Sequence, residues 1–265
     1  MSMKTLLGFT ALVLYTFSAL AWGGMDLAQL GQRIEDAGHR ADVSSLQAAR
    51  ESLQGVPDGA APDKYLYYYQ AYADYVSAYT LSHEDSARAT DLVQQAQAEL
   101  QQALKLDPDF AEAEALLGSS YGLEIGLHPF RGMWLGSKAG AHTERAWKLA
   151  PADPRVILLR AISDYSTPGA FGGDKQRALQ GFRAAIAAYD TYRSSDGAGP
   201  SWGRADAYAW LGLAESHAGQ TEAARADLGK ALELAPGYVL VRKRLAALPP
   251  APSTQPAGRQ QHLNP

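Results

Sequence analysis

The phrases "ALKLDP" (103–108), "AWKLAP" (146–151) and "ALELAP" (231–236) each place an alanine five residues before a proline. Seven residues before that alanine stands another: Ala96, Ala139 and Ala224. A step of seven is close to two helical turns, so the paired alanines share one face of a helix that the proline then ends. Recurrence in register makes the chain an array of similar helical units. Each unit can bury its apolar face only against its neighbours. Elsewhere from Asp26 to Leu248 the apolar residues also fall at helical spacing, and runs such as "AEAEALLGSSYG" lack β-branched residues. No alternating Val/Ile/Thr run bounded by turn pairs occurs, so the chain reads as all-α.

Two helices carry a Leu-Gly pair: Leu117-Gly118 with Tyr121, after Pro108, and Leu211-Gly212 with Glu215, in the unit that ends at Pro236. In the last unit Tyr208, Leu211, Gly212, Gly219, Ala224, Leu228, Ala231 and Pro236 follow one another without a gap. This resembles the tetratricopeptide repeat, a helix pair of about 34 residues; Glu215 replaces the usual aromatic. The resemblance covers 63–248, three to four repeats. It implies an α-α superhelix of antiparallel helix pairs with a concave groove, here with long inter-helix insertions. The unit from Ala111 to Pro151 is about nine residues over the repeat norm, with the excess around "GLEIGLHPFRGMWLG". The stretch "DTYRSSDGAGPSWGRAD" is a further insertion. Pro168, Phe171, Gly172, Gly173 and Asp174 carry a second resemblance, to periplasmic T-component-like repeat proteins of TRAP transporters.

Residues 1–21 read as a signal peptide. Lys4 precedes an apolar run too short to span a bilayer comfortably, and Ala19-Leu20-Ala21 offers small residues for cleavage after Ala21. The mature protein is expected to be periplasmic or secreted, without membrane insertion. Residues 22–62 read as one N-terminal helix, about 25–53, capping the array, followed by the linker "QGVPDGAAPD". Residues 249–265, rich in proline and polar side chains, read as a disordered tail. The chain contains no cysteine, which excludes disulfides and a thiol nucleophile. A net charge of -4 gives no basic surface for nucleic acid.

Enzyme chemistry finds no foothold. A phosphate loop follows a strand and ends in Lys followed by Ser or Thr. "GAFGGDKQ" follows a helix, and Lys175 precedes Gln176. By alignment with Gly219, Gly173 is a turn between paired helices and Asp174 an N-cap. The histidines show no His-x-x-x-His or Glu-x-x-His pair. Glu112 and Glu114, two apart, diverge on their helix, and there is no Gly-x-Ser-x-Gly turn. No catalytic residue, cofactor or metal is expected, and the chain is read as non-catalytic.

The expected function is partner binding in the groove. In the resembled family, contacts come from the second, fifth, ninth, twelfth and thirteenth positions of a repeat. Those positions fall on Asp206, Ala209, Leu213, Ser216 and His217; on Glu112, Ala115, Ser119, Gly122 and Leu123; and on Arg155, Leu158, Ile162, Tyr165 and Ser166. This mixture implies a protein or peptide partner. Tyr65, Tyr68, Tyr72, Tyr75 and Tyr79 form one stripe, open to two readings: a buried helix seam, or an aromatic wall for a ligand. Tyr67 and Tyr69, off the stripe, must meet solvent or a neighbouring element. Phe130, Trp134 and Trp202, in the insertions, either pack on the array or anchor a partner; Phe171 either plugs the core or edges the groove.

Overall fold

The computed structural model describes residues 27–53, 63–193 and 199–250, and among these it holds eleven α-helices, two short 3₁₀ turns and no strand. The expected signal peptide, the linker at 54–62 and the tail from 251 lie outside the described residues. Helices α1 (Leu27–His39) and α2 (Val43–Ser52) come first. Four pairs follow: α3 (Lys64–Leu81) with α4 (Ser86–Leu106), α5 (Ala111–Leu127) with α6 (Gly132–Leu149), α7 (Pro154–Ser166) with α8 (Lys175–Thr191), and α9 (Arg204–His217) with α10 (Thr221–Leu234). The last helix, α11 (Val239–Ala247), packs on α10. Successive pairs stack, and α3, α5, α7 and α9 touch in turn along one face. The expected α-α superhelix is what forms.

Local chemistry sets the boundaries. α4, α6 and α10 end at Leu106, Leu149 and Leu234, each two residues before Pro108, Pro151 or Pro236. The residue ahead of a proline is pushed out of the helical region, so each helix stops there. At the opposite ends, Asp63, Asp85, Asp153 and Asp174 accept hydrogen bonds from the first free amides of α3, α4, α7 and α8. Within pairs, small residues set the helix spacing. A Cβ on Gly212 would sit 2.7 Å from Leu228 Cγ and 3.1 Å from the Ala224 carbonyl oxygen. Gly118 meets Thr143 and the Ala139 carbonyl in the same way.

The glycine-rich turn after α7 is as expected in outline and different in detail. Asp174 caps α8 by accepting from the Gln176 and Arg177 amides at 2.9 and 3.0 Å. The left-handed residue of this turn is Gly172 (φ 93). Gly173 passes so close to the Thr167 backbone that a side chain there would collide. The preceding residues form a 3₁₀ turn, Gly169–Phe171, and Phe171 is 82% exposed. It does not plug the core.

The N-terminal region departs most. The single expected helix is broken where Ala41 adopts φ 54 and Asp42 caps α2. α1 is no simple end cap. Gly31 lies against the Tyr69 ring and Gly38 against Val76, both on α3. Its C-terminal end reaches the far end of the array, where His39 contacts Asp206 on α9 and stacks on Tyr238 at 4.1 Å. α1 therefore bridges the first and last pairs along the concave side.

Candidate functional site

The groove positions divide by depth. At the second position, Glu112 and Asp206 are mostly covered and Arg155 is 1% exposed. At the fifth, Ala115, Leu158 and Ala209 are all buried. Ser119, Ile162 and Leu213, at the ninth, are half-buried, and Gly122, Ser166 and His217 further along are exposed. The chain itself makes this gradient. α1 covers the start of α9, and Tyr192 and Gly203 lie against Arg155 and Leu158 at the start of α7. Arg155 lies under the Tyr192 ring at 4.4 Å and pairs with Asp153 at 2.7 Å. A buried, paired guanidinium is unavailable to a partner, so Arg155 is corrected from contact residue to internal ion pair.

The tyrosine stripe resolves mainly as a seam. Tyr68 is fully buried and its hydroxyl accepts from Trp202 Nε1 at 3.1 Å; Tyr72, 3% exposed, stacks on Trp202 at 4.7 Å. Both face their own chain, which withdraws them as partner residues. Tyr75 is half-buried and its hydroxyl pairs with Ser119. Tyr69, off the stripe, is also fully buried, with its hydroxyl donating to the Gly199 carbonyl at 3.2 Å. Trp202 is thus a loop tryptophan packed into the array. Phe130 (87% exposed) and Trp134 (53%) are not.

An open lip remains at the C-terminal ends of α3, α5, α7 and α9. There Tyr79, Ser119, Ile162, Leu213, Ser216 and His217 retain surface. Tyr165, nearly buried, is hydrogen-bonded to His217 and packs edge-on to Trp210 at 6.0 Å. Burial pushes the Tyr165 hydroxyl above its usual range, so it stays neutral. A crevice of about 30 Å³, lined by Tyr79, Leu213, Tyr238 and Arg244 among others, opens here. It holds a water or so and no larger molecule. The turns that end these first helices share the same edge of the array, and Phe130, Met133 and Phe171 project from two of them, each more than four-fifths exposed.

Asp206, expected on the groove wall, belongs to a separate cluster. His39 Nε2 lies 3.2 Å from its Oδ1, and the Tyr238 hydroxyl donates to the same oxygen at 2.8 Å. Glu35, one turn before His39, accepts from the Gly203 amide at 2.8 Å. Burial, then the Asp206 carboxylate, push the Glu35 carboxyl up to about 7. Burial works to lower the His39 pKa, but Asp206, Glu35 and Asp36 together outweigh it and the net shift is upward. The ligating atoms of Glu35, His39 and Asp206 lie within 4.8 Å of one another. Sequence reading saw no ligand pair, because the third member is 167 residues from His39. Glu35 and His39 at i and i+4 were the one available signal.

These features define a helical-repeat protein with a partly filled concave face. The family model described as the tetratricopeptide repeat matches residues 205–238, the last helix pair. Among solved structures, the HusA haemophore from Porphyromonas gingivalis is similar at a TM-score of 0.58 and 23% identity, over 74% of this chain and 95% of that one. The APC/C hetero-tetramer Cut9-Hcn1 aligns at TM-score 0.35 and 16% identity, over 83% of this chain and 46% of that chain. Yeast Tom70 aligns at 0.21 and 14%, over 77% and 57% respectively. No curated protein matches the chain. The chain has an α-α superhelical fold of antiparallel helix pairs, and its last pair matches the tetratricopeptide repeat. Among the described residues, no helix is long and apolar enough to cross a membrane.

Proposed function

We propose that the protein is a non-catalytic scaffold that holds an extended segment of a partner protein across the open lip of its groove. One observation carries the reading: the self-filled half of the concave face stops at the fifth groove position, leaving Ile162, Leu213 and His217 accessible in a continuous row. That row mixes apolar and uncharged polar groups, as peptide recognition requires. The TPR-like fold supports it, since such arrays present extended concave surfaces. A photo-crosslinking residue at Leu213 or Ile162 should capture one and the same partner in cells, while one at exposed Lys230 should not. Equal labelling from all three positions would remove the groove reading. Export belongs to the same proposal, supported by the apolar run ending at Ala21; a mature protein still beginning at Met1 would overturn that part.

A second reading, an auxiliary ligand-binding component of a periplasmic transport system, draws on the half-buried Trp210 and the exposed His217, two turns apart on α9. An accessible ring edge and an imidazole suit a planar ligand, and the similar HusA protein is a haemophore. Haemin titration decides it. Saturable uptake lost in Trp210→Ala favours this reading, and no uptake leaves the scaffold.

A further inference from the structure

The cluster at the junction of α1 and α9 has the composition and geometry of a metal site. α1 presents Glu35 and His39 on one face, one turn apart, and the first turn of α9 supplies Asp206. A cation bound at the usual 2.0–2.2 Å to nitrogen and carboxylate oxygen needs ligand atoms roughly 3.3–3.5 Å apart. The His39–Asp206 edge already measures 3.2 Å, and no pair of ligating atoms exceeds 4.8 Å.

Burial and support point the same way. His39 is 7% exposed, so its Nε2 meets Asp206 away from bulk water. The carboxylates are held as ligands are held, by outer contacts: the Gly203 amide fixes one Glu35 oxygen, and the Tyr238 hydroxyl fixes Asp206. Such contacts orient a site before the ion arrives. Two carboxylates against one imidazole leave the cluster short of positive charge.

We propose that Glu35, His39 and Asp206 form a binding site for a first-row divalent cation that staples the first helix to the last repeat. The ligand set, one imidazole and two carboxylates, suits zinc or manganese better than a thiolate-seeking ion. A bound ion would hold α1 in the concave face and fix which half of the groove stays open. The site stands whether or not the lip binds a partner.

The test uses the full chain stripped with a chelator and titrated with zinc by calorimetry, alongside thermal unfolding. One equivalent should bind at micromolar or tighter affinity, and the unfolding midpoint should rise by several degrees. Glu35→Gln keeps the shape and the Gly203 contact, and should weaken uptake at least tenfold. His83→Ala, at an exposed histidine elsewhere, should change nothing. Circular dichroism establishes that Glu35→Gln is folded, and Asp206→Asn is the second variant. Absence of stoichiometric uptake overturns the proposal. So does equal affinity in folded Glu35→Gln, which would assign bound zinc to surface histidines and leave the trio an ion pair.

Discussion

At the residue scale, Gly212 shows how one missing side chain sets a distance between helices. Any Cβ there meets Leu228, so Gly212→Val should destabilise the protein by about 1–3 kcal/mol, read from urea unfolding. Charge is equally local. Arg50 on α2 is held between Asp74 at 2.9 Å and Glu99 at 2.5 Å, two carboxylates sharing one cation. Burial first, then Asp74, push Glu99 up to about 8 against the pull of Arg50. The folded protein thus keeps a proton that the unfolded chain releases near 4.5. Over that interval the folded state binds more protons, and this group's contribution to stability falls as pH rises. Glu99→Gln should flatten the slope and raise stability at pH 8 by on the order of 1–2 kcal/mol, measured by unfolding at pH 5 and pH 8. Caps, prolines and close-contact glycines were legible because their causes lie within a few residues. Alignment by register places the turn at Gly173, but it does not say which glycine carries the positive φ, and that is Gly172.

At the scale of elements, the insertions separate into two kinds. Trp202 folds inward, stacking on Tyr72 and donating to Tyr68. Trp202→Ala removes a buried ring and leaves the Tyr68 hydroxyl unpartnered, so it should cost about 3–5 kcal/mol in denaturant unfolding. The turns bearing Phe130 and Phe171 fold outward. Phe171→Ser should therefore leave stability within about 0.5 kcal/mol of the parent, as expected for a surface position. Composition does not distinguish these cases. Both insertions carry an aromatic residue next to glycine or arginine, and only the neighbouring surface decides which one finds a pocket.

For the whole molecule, the bridge from α1 to α9 changes what kind of array this is. An open solenoid contacts only its neighbours, and its ends can unravel independently. Here the first helix touches the last pair, so loss of either end exposes the other. Urea unfolding followed by circular dichroism and by tryptophan fluorescence should coincide in the parent protein. The double substitution His39→Ala with Asp206→Ala should separate the two curves, with fluorescence from the Trp202 region moving first. Coincident curves in the variant would show that the bridge contributes nothing to cooperativity.

The sequence by itself determined the helical class, the repeat unit, the proline stops of three helices, the Asp174 cap and the sites of the insertions, but not the break between α1 and α2. Each of these follows from spacing, capping and backbone restriction over short distances. Only the tertiary structure decided how the concave face is used. That the stripe of Tyr68 and Tyr72 is a seam, that Arg155 is an internal ion pair, and that Asp206 joins Glu35 and His39 depend on where α1 and the 199–203 segment come to rest. No periodicity encodes that placement. It is set by side-chain packing between segments more than 160 residues apart, a contact that exists only once the array has curved enough to bring its two ends together.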